Sequence, residues 1–192
     1  MRMRKNSLPG KVILASSSPR RKEILSIFFK VEVVRPSINE ATYKNPLDMV
    51  IKNSKIKALS VGRRNGVVVS GDTVVVYKGK ILGKPKNKLD AEEMLSLLSG
   101  KWHEVYSGFF FTAFGKSGEG FSKTQVKFKD LRKSEIIGYI ETGEPMDKAG
   151  AYAIQGKGSV FIEKIEGCYF TVVGFPVVKF IKRLKEVLIE NS

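Results

Sequence analysis

The stretch VVVSGDTVVVY, Val67–Tyr77, constrains the fold more than any other part of the chain. Its near-continuous β-branched residues predict a central strand covered on both faces, which requires helices or further sheet on either side. Ser-Gly-Asp-Thr interrupts it. A carboxylate costs several kcal/mol to bury unless it is paired or bound to a metal, so Asp72 is expected in a cleft rather than a core. Gly71 would let substrate or backbone approach closely. A polar bulge at a sheet edge would account for the same letters.

Around this strand the chain reads as βα units mixed with hairpins. Residues 12–15 predict a short buried strand running into serines. Ser18 then offers an N-cap before Pro19, and Ile24, Leu25, Ile27 and Phe28 give an apolar helical face. A second strand is expected over 31–34, and a helix capped by Asn45 and opened by Pro46, with Leu47, Val50, Ile51, Ala58 and Leu59 inward. Further helices are expected over 90–98 and 134–142. Residues 102–114 and 121–128 predict a hairpin around the loop GKSGEG, and 160–165 is expected to pair with 168–173 around Glu166-Gly167. Pro176 opens a closing amphipathic helix with Val177, Val178, Ile181, Leu184 and Leu188 on one side. The order implies a single α/β fold over 1–192 with a mixed sheet, not a doubly wound parallel one.

Composition narrows the function. With 42% hydrophobic and 28% charged residues the chain suits a packed core, and its net charge of +15 attracts polyanions. Cys168 is the single cysteine, which excludes an intrachain disulfide and a multi-cysteine zinc site. The basic stretch 1–11 resembles a secretory n-region, but the apolar run behind it is too short for an h-region, and no stretch approaches the length of a membrane span. A cytoplasmic protein without membrane association is expected.

LASSSPRR, residues 14–21, is the second informative motif. A strand-to-helix turn presents the free N–H groups of a first helical turn, where the dipole also favours anions. Ser16, Ser17, Ser18, Arg20 and Arg21 add hydroxyl donors and guanidinium forks that match phosphate oxygens. A capped helix with two solvated arginines is the plainer alternative. A serine nucleophile lacks a base, because the one histidine, His103, lies far along the chain in a strand pattern. No P-loop or G-x-G-x-x-G occurs. Glu40, in the loop after the second strand, could be a second acid beside Asp72, and one or two carboxylates with water and phosphate oxygens is a usual magnesium environment. Lys84 in GKP and Lys148 in MDKAG sit in loops that present side chains at sheet ends.

Taken together, LASSSPRR, GDTVV, GKP, LSGKWHEVYSG, GEPMDKAGAYAIQGKG and VVGFP resemble the Maf family of nucleotide pyrophosphatases, in the family's order and spacing from Leu14 to about Pro176. The resemblance implies an elongated mixed β-sheet with flanking helices, forming two lobes around a central cleft as in the inosine triphosphate pyrophosphatases, and a homodimer. It also implies hydrolysis of a nucleoside triphosphate to monophosphate and pyrophosphate with a divalent cation, Mg2+, Mn2+ or Co2+. On it, Asp72 is the general base and shares the metal with Glu40. Ser16, Arg20, Lys55 and Lys84 hold phosphates, with Arg21 and Lys148 beside them, while Thr73 and Gln155 join Arg20 in substrate choice. The glutamine form AYAIQG is similar to the branch acting on dTTP and UTP. Two departures stand out: Asn39 replaces the usual aspartate before Glu40, and in IKNSKIKAL the lysine register is open among Lys52, Lys55 and Lys57, with Lys55 chosen.

The competing class is a basic protein that binds nucleic acid or a division partner and inhibits septum formation without catalysis. No helix-turn-helix, RNA-recognition or zinc-finger pattern supports it, and the basic residues are scattered, so nucleic acid is not the expected partner.

Overall fold

The computed structural model describes residues 8–62 and 64–189. The start of the basic N-terminal stretch lies outside them. In chain order the elements are β1 (Lys11–Ala15), α1 (Pro19–Ser26), β2 (Lys30–Val34), α2 (Pro46–Ser60), β3 (Val67–Tyr77), β4 (Lys80–Leu82), α3 (Lys88–Leu98), β5 (Trp102–Ala113), β6 (Lys116–Phe128), α4 (Lys133–Glu141), β7 (Ile162–Glu166), α5 (Tyr169–Val173) and α6 (Val177–Ile189). Short 3-10 turns at Glu144–Asp147, Ala149–Ala151 and Lys157–Phe161 fill the segment between α4 and β7.

The sheet is mixed, as expected. Its order is β2-β1-β3-β5-β6-β7, with β4 also pairing to β3. β1 runs parallel to β2 and β3, because α1 and α2 are the crossovers that parallel strands need; β4 joins β3 antiparallel through the tight turn Lys78-Gly79, and β7 joins β6 antiparallel after the chain has passed through α4 and the 3-10 turns. The chain divides into two compact units: Met1–Asp72 with Ser107–Ser122 and Gly174–Ser192, and Thr73–Tyr106 with Lys123–Val173.

In the first unit β-strand alternation sends Ile13, Ala15 and Val68 onto Ala58 of α2, with Phe110 beside them. An aromatic cluster of Phe109, Phe111, Phe175 and Phe180, with Phe109 and Phe111 stacked and the other pairs edge-to-face or tilted at ring-centroid distances of 5.5–6.4 Å, closes α6 over the strands. In the second unit Leu95 and Leu98 of α3 and Ile136, Tyr139 and Ile140 of α4 enclose Val75, Val105, Val126 and Phe128.

Four expectations are corrected. GKSGEG is not a loop: β6 begins at Lys116, and the turn is Phe114-Gly115, both with positive φ. Gly118 and Gly120 are strand residues whose missing Cβ atoms leave room for the rings of Phe111 and Phe109, at 2.5 and 2.7 Å from an added methyl. Residues 160–165 do not pair with 168–173; β7 pairs with β6, and 169–173 is helical. Ile27 and Phe28 lie outward beyond the end of α1, and Phe29 is the buried residue. Finally, Leu59 and Val178 are exposed, because the inner face of α2 is partly polar and that of α6 is Val177, Phe180, Leu184 and Val187.

Candidate active site

In the first unit α2, β3 and the loop after β2 bring three charged groups to one point. Ser70 and Asp72 alternate to the same face of β3, toward α2. Ser70 Oγ donates to the Ser54 carbonyl, and Asp72 Oδ1 accepts from Lys57 Nζ at 2.7 Å. The same ammonium lies 2.7 Å from Glu40 Oε1. Asp72 is only 5% exposed, so it is not the open cleft acid that the sequence suggests; a buried lysine compensates it. Asn53 holds the loop in place. Its Oδ1 accepts the Ala41 N–H and its Nδ2 donates to the Ala41 carbonyl, each at 3.0 Å, with a longer 3.5 Å contact to Asp72 Oδ2.

On the other face of β3, Gly71 makes room for α1. An added Cβ would stand 2.9 Å from Phe175 Cδ2, 3.2 Å from the Gly108 carbonyl oxygen and 3.3 Å from Arg21 Nε. The close approach is therefore to the protein's own ring, backbone and guanidinium. Arg21 donates from Nε to the Gly174 carbonyl at 3.0 Å and from Nη1 to Ser16 Oγ at 3.2 Å. Burial lowers the affinity of its guanidinium for a proton; the charges of Asp72 and Glu40 act in the opposite sense, and Arg20 reinforces the fall. Ser18 occupies the N-cap of α1 without a side-chain cap bond, and Ser16 Oγ accepts its N–H at 3.1 Å instead. Serine, two arginines and the two acids thus belong to one electrostatic neighbourhood.

Lys57 and Asn53 are the residues that sequence reasoning missed or left open. Lys55 is exposed, its ammonium 5.7 Å from the Phe110 ring centroid. Periodicity could have decided it: Val50, Asn53, Ser54, Lys57 and Ala58 share the buried stripe of α2, and Lys55 falls off it.

The second unit holds Thr73, Lys84, Lys148 and Gln155. The loops of Lys84 and Lys148 are joined, since the Gly150 N–H donates to the Gly83 carbonyl at 3.0 Å. Gly150 has φ +68, and a Cβ there would meet Val75 Cγ2 at 2.8 Å, so this loop lies directly on β3. Ala151 follows at φ 60, which is strained for a residue with a side chain. Lys148 pairs with Asp147. Gln155 and Lys84 are exposed, Thr73 half-buried. His103 is buried, its Nε2 2.8 Å from the Tyr152 hydroxyl and its ring edge-on to Phe128 and Tyr152, which is the structural histidine expected of a strand.

The chemistry of the donor set suits a hard divalent cation in one respect: two carboxylates converge on a point. Lys57 already holds that point, and no group of three or more His, Cys, Asp or Glu side chains is placed to bind a metal among the described residues. Glu40 and Asp72 therefore fit a cation only as a minimal pair completed by water and phosphate oxygens.

Comparison places this chain, with its mixed α/β sheet, among known proteins. The family model described as Maf-like protein matches residues 11–187, and the chain belongs to the Maf family. It is 44% identical over 185 residues to the dTTP/UTP pyrophosphatase of Bacillus anthracis and to that of Bacillus cereus, covering 94% of this chain and 97% of each relative. Among solved structures, the Ham1 protein of Staphylococcus aureus aligns over 79% of both chains with a TM-score of 0.47 and 12% identity.

Proposed function

We propose that the chain is a dTTP/UTP pyrophosphatase, a hydrolase acting on the acid anhydride between the α and β phosphates, working as one Maf-like domain in a cytoplasmic homodimer. The observation that carries the reading is the Glu40–Lys57–Asp72 cluster beside Ser16, Arg20 and Arg21. Hydrolysis at the α-phosphorus needs an oriented water, neutralisation of the triphosphate and stabilisation of charge moving onto pyrophosphate. Asp72 supplies the base: one oxygen is held by Lys57, which fixes the carboxylate, and Oδ2 is the one that takes the proton from water. Ser16, Arg20, Arg21 and Lys55 supply donors and positive charge to phosphate oxygens. Lys84 and Lys148 do the same from their joined loops, and Thr73 and Gln155 take part in substrate choice. Glu40 and Asp72 would hold the divalent cation, which when bound polarises the phosphates. The amide of Gln155 offers both a donor and an acceptor, matching the O4 and N3–H edge of uracil or thymine.

A panel of nucleoside triphosphates assayed for pyrophosphate release with magnesium, manganese and cobalt tests this. Release is expected to be fastest from dTTP and UTP. Absence of pyrophosphate from every triphosphate and metal, together with DNA binding that persists at high salt, would replace the enzyme by the basic binding protein.

A further inference from the structure

Around Gln155 the second unit contains a hydrogen-bonded support that the proposed reaction does not use. Glu144 stands in the 3-10 turn just after α4. Its Oε1 accepts the Tyr139 hydroxyl at 2.8 Å and the Gly158 N–H at 3.1 Å, and its Oε2 accepts the Lys157 N–H at 3.0 Å. The Tyr139 hydroxyl in turn accepts the Ala153 N–H at 3.2 Å. The chain is thereby gripped two residues before Gln155 and two and three residues after it.

The local sequence is adapted to this grip. A Cβ on Gly156 would overlap the Glu144 carboxylate, and one on Gly158 would lie 2.7 Å from the Tyr139 hydroxyl oxygen. Both glycines of QGKG thus leave space for the two side chains beneath the loop. Tyr139 is itself buried, edge-on to Phe161 at 5.0 Å, so the support is anchored in the core. Residues 152–156 belong to no helix or strand, and their backbone conformation depends on such side-chain partners. Hydrogen bonds to an ionised carboxylate are the strong kind.

We propose that Glu144, acting with Tyr139, is the positioning element for Gln155: it fixes the loop from which the Gln155 amide meets the pyrimidine edge, and so sets base discrimination without touching substrate. The inference rests on the reading that Gln155 faces the base. Glu144 also begins the segment that leads through Lys148 to Gly150, whose N–H donates to the Gly83 carbonyl.

The test compares Glu144→Gln, Tyr139→Phe and Gln155→Ala in the full chain with the same divalent metal, using UTP and CTP. Glu144→Gln keeps the size but turns one acceptor into a donor facing a donor. It is expected to raise KM for UTP about tenfold with kcat within about twofold, and to lower the UTP-over-CTP ratio of kcat/KM about tenfold. Hydrogen exchange at the Lys157 and Gly158 amides should accelerate while α6 keeps its protection. Tyr139→Phe should give a smaller change of the same kind, and Glu144→Gln should add nothing in the Gln155→Ala background. An unchanged ratio in Glu144→Gln, or an equal loss of kcat for both substrates, overturns the positioning role if Gln155→Ala does alter the ratio. An unchanged ratio in Gln155→Ala overturns the base-facing reading itself, and the inference with it. Should Glu144→Gln fail to fold, Tyr139→Phe decides: faster exchange at Ala153 with an unaltered ratio is the contrary result.

Discussion

Lys57 Nζ lies 2.7 Å from Asp72 Oδ1, with both side chains less than a tenth exposed. The pairing explains how a carboxylate can stand in a buried strand rich in valine. Glu40 reaches the same ammonium from a side chain that is nearly half exposed, so one cation joins a buried acid to a wetter one.

Removing that cation should be costly. Lys57→Met leaves Asp72 buried without its counter-charge, and the expected loss is about 3–5 kcal/mol of folding stability. Lys55→Met, on the exposed side of the same helix, should cost less than about 1 kcal/mol. Urea unfolding of the two variants beside the parent measures both, and equal losses would contradict the pairing.

Asp72→Asn separates chemistry from binding. The amide keeps the volume but cannot take a proton from water, so turnover of UTP should fall by about a thousandfold. Affinity for a non-hydrolysable α,β-methylene UTP should stay within a few-fold. Undiminished turnover would remove Asp72 from the role of base.

Much of this was readable in the letters, and the failures have a common physical origin. The valine run identified β3 to the residue, because a strand buried on both faces has a pattern that no other element shares. Asn45 and Pro46 marked the start of α2 because cap chemistry is local, and Asn45 Oδ1 does accept the Leu47 N–H at 2.8 Å. What was misread depends on partners distant in sequence. Gly118 and Gly120 look like a loop until the rings of Phe111 and Phe109 are seen to need their space. The lysine is the exception: in IKNSKIKAL the helical stripe through Val50 and Ala58 carries Lys57 inward and leaves Lys55 exposed, a signal of periodicity that motif register alone does not hold. The support of Glu144 and Tyr139 under the Gln155 loop has no short-range signature at all.

Two glycines should respond oppositely to alanine. Gly71→Ala pushes a methyl to 2.9 Å from Phe175 Cδ2 and 3.2 Å from the Gly108 carbonyl oxygen. Ring, strand and Arg21 must all shift, at a cost of about 1–3 kcal/mol. Gly138 lies in the exposed interior of α4 with nothing within 4 Å of an added Cβ. There the substitution should stabilise by about 0.5–1 kcal/mol through helix propensity. Thermal unfolding of the pair checks the sign of each.

His103 makes a pH prediction with a defined sign. Burial is the main cause that pushes its imidazole down from 6.5 to about 4, and the Lys101 backbone partly opposes this. As pH falls through 6.5 the unfolded chain takes up a proton that the folded chain refuses until about 4. Stability is therefore full above 6.5, declines through the window down to about 4 and is level below it, a loss of about 3 kcal/mol in all. Carboxylates titrate in the lower part of the same window, so the contribution is read as a difference between variants. His103→Gln retains a polar partner for the Tyr152 hydroxyl, 2.8 Å from Nε2, but carries no titrating proton. Urea unfolding at pH 7.5, 6.0, 5.0 and 4.5 should give a flatter stability profile for the variant than for the parent, and parallel profiles would mean that His103 does not govern the acid limb.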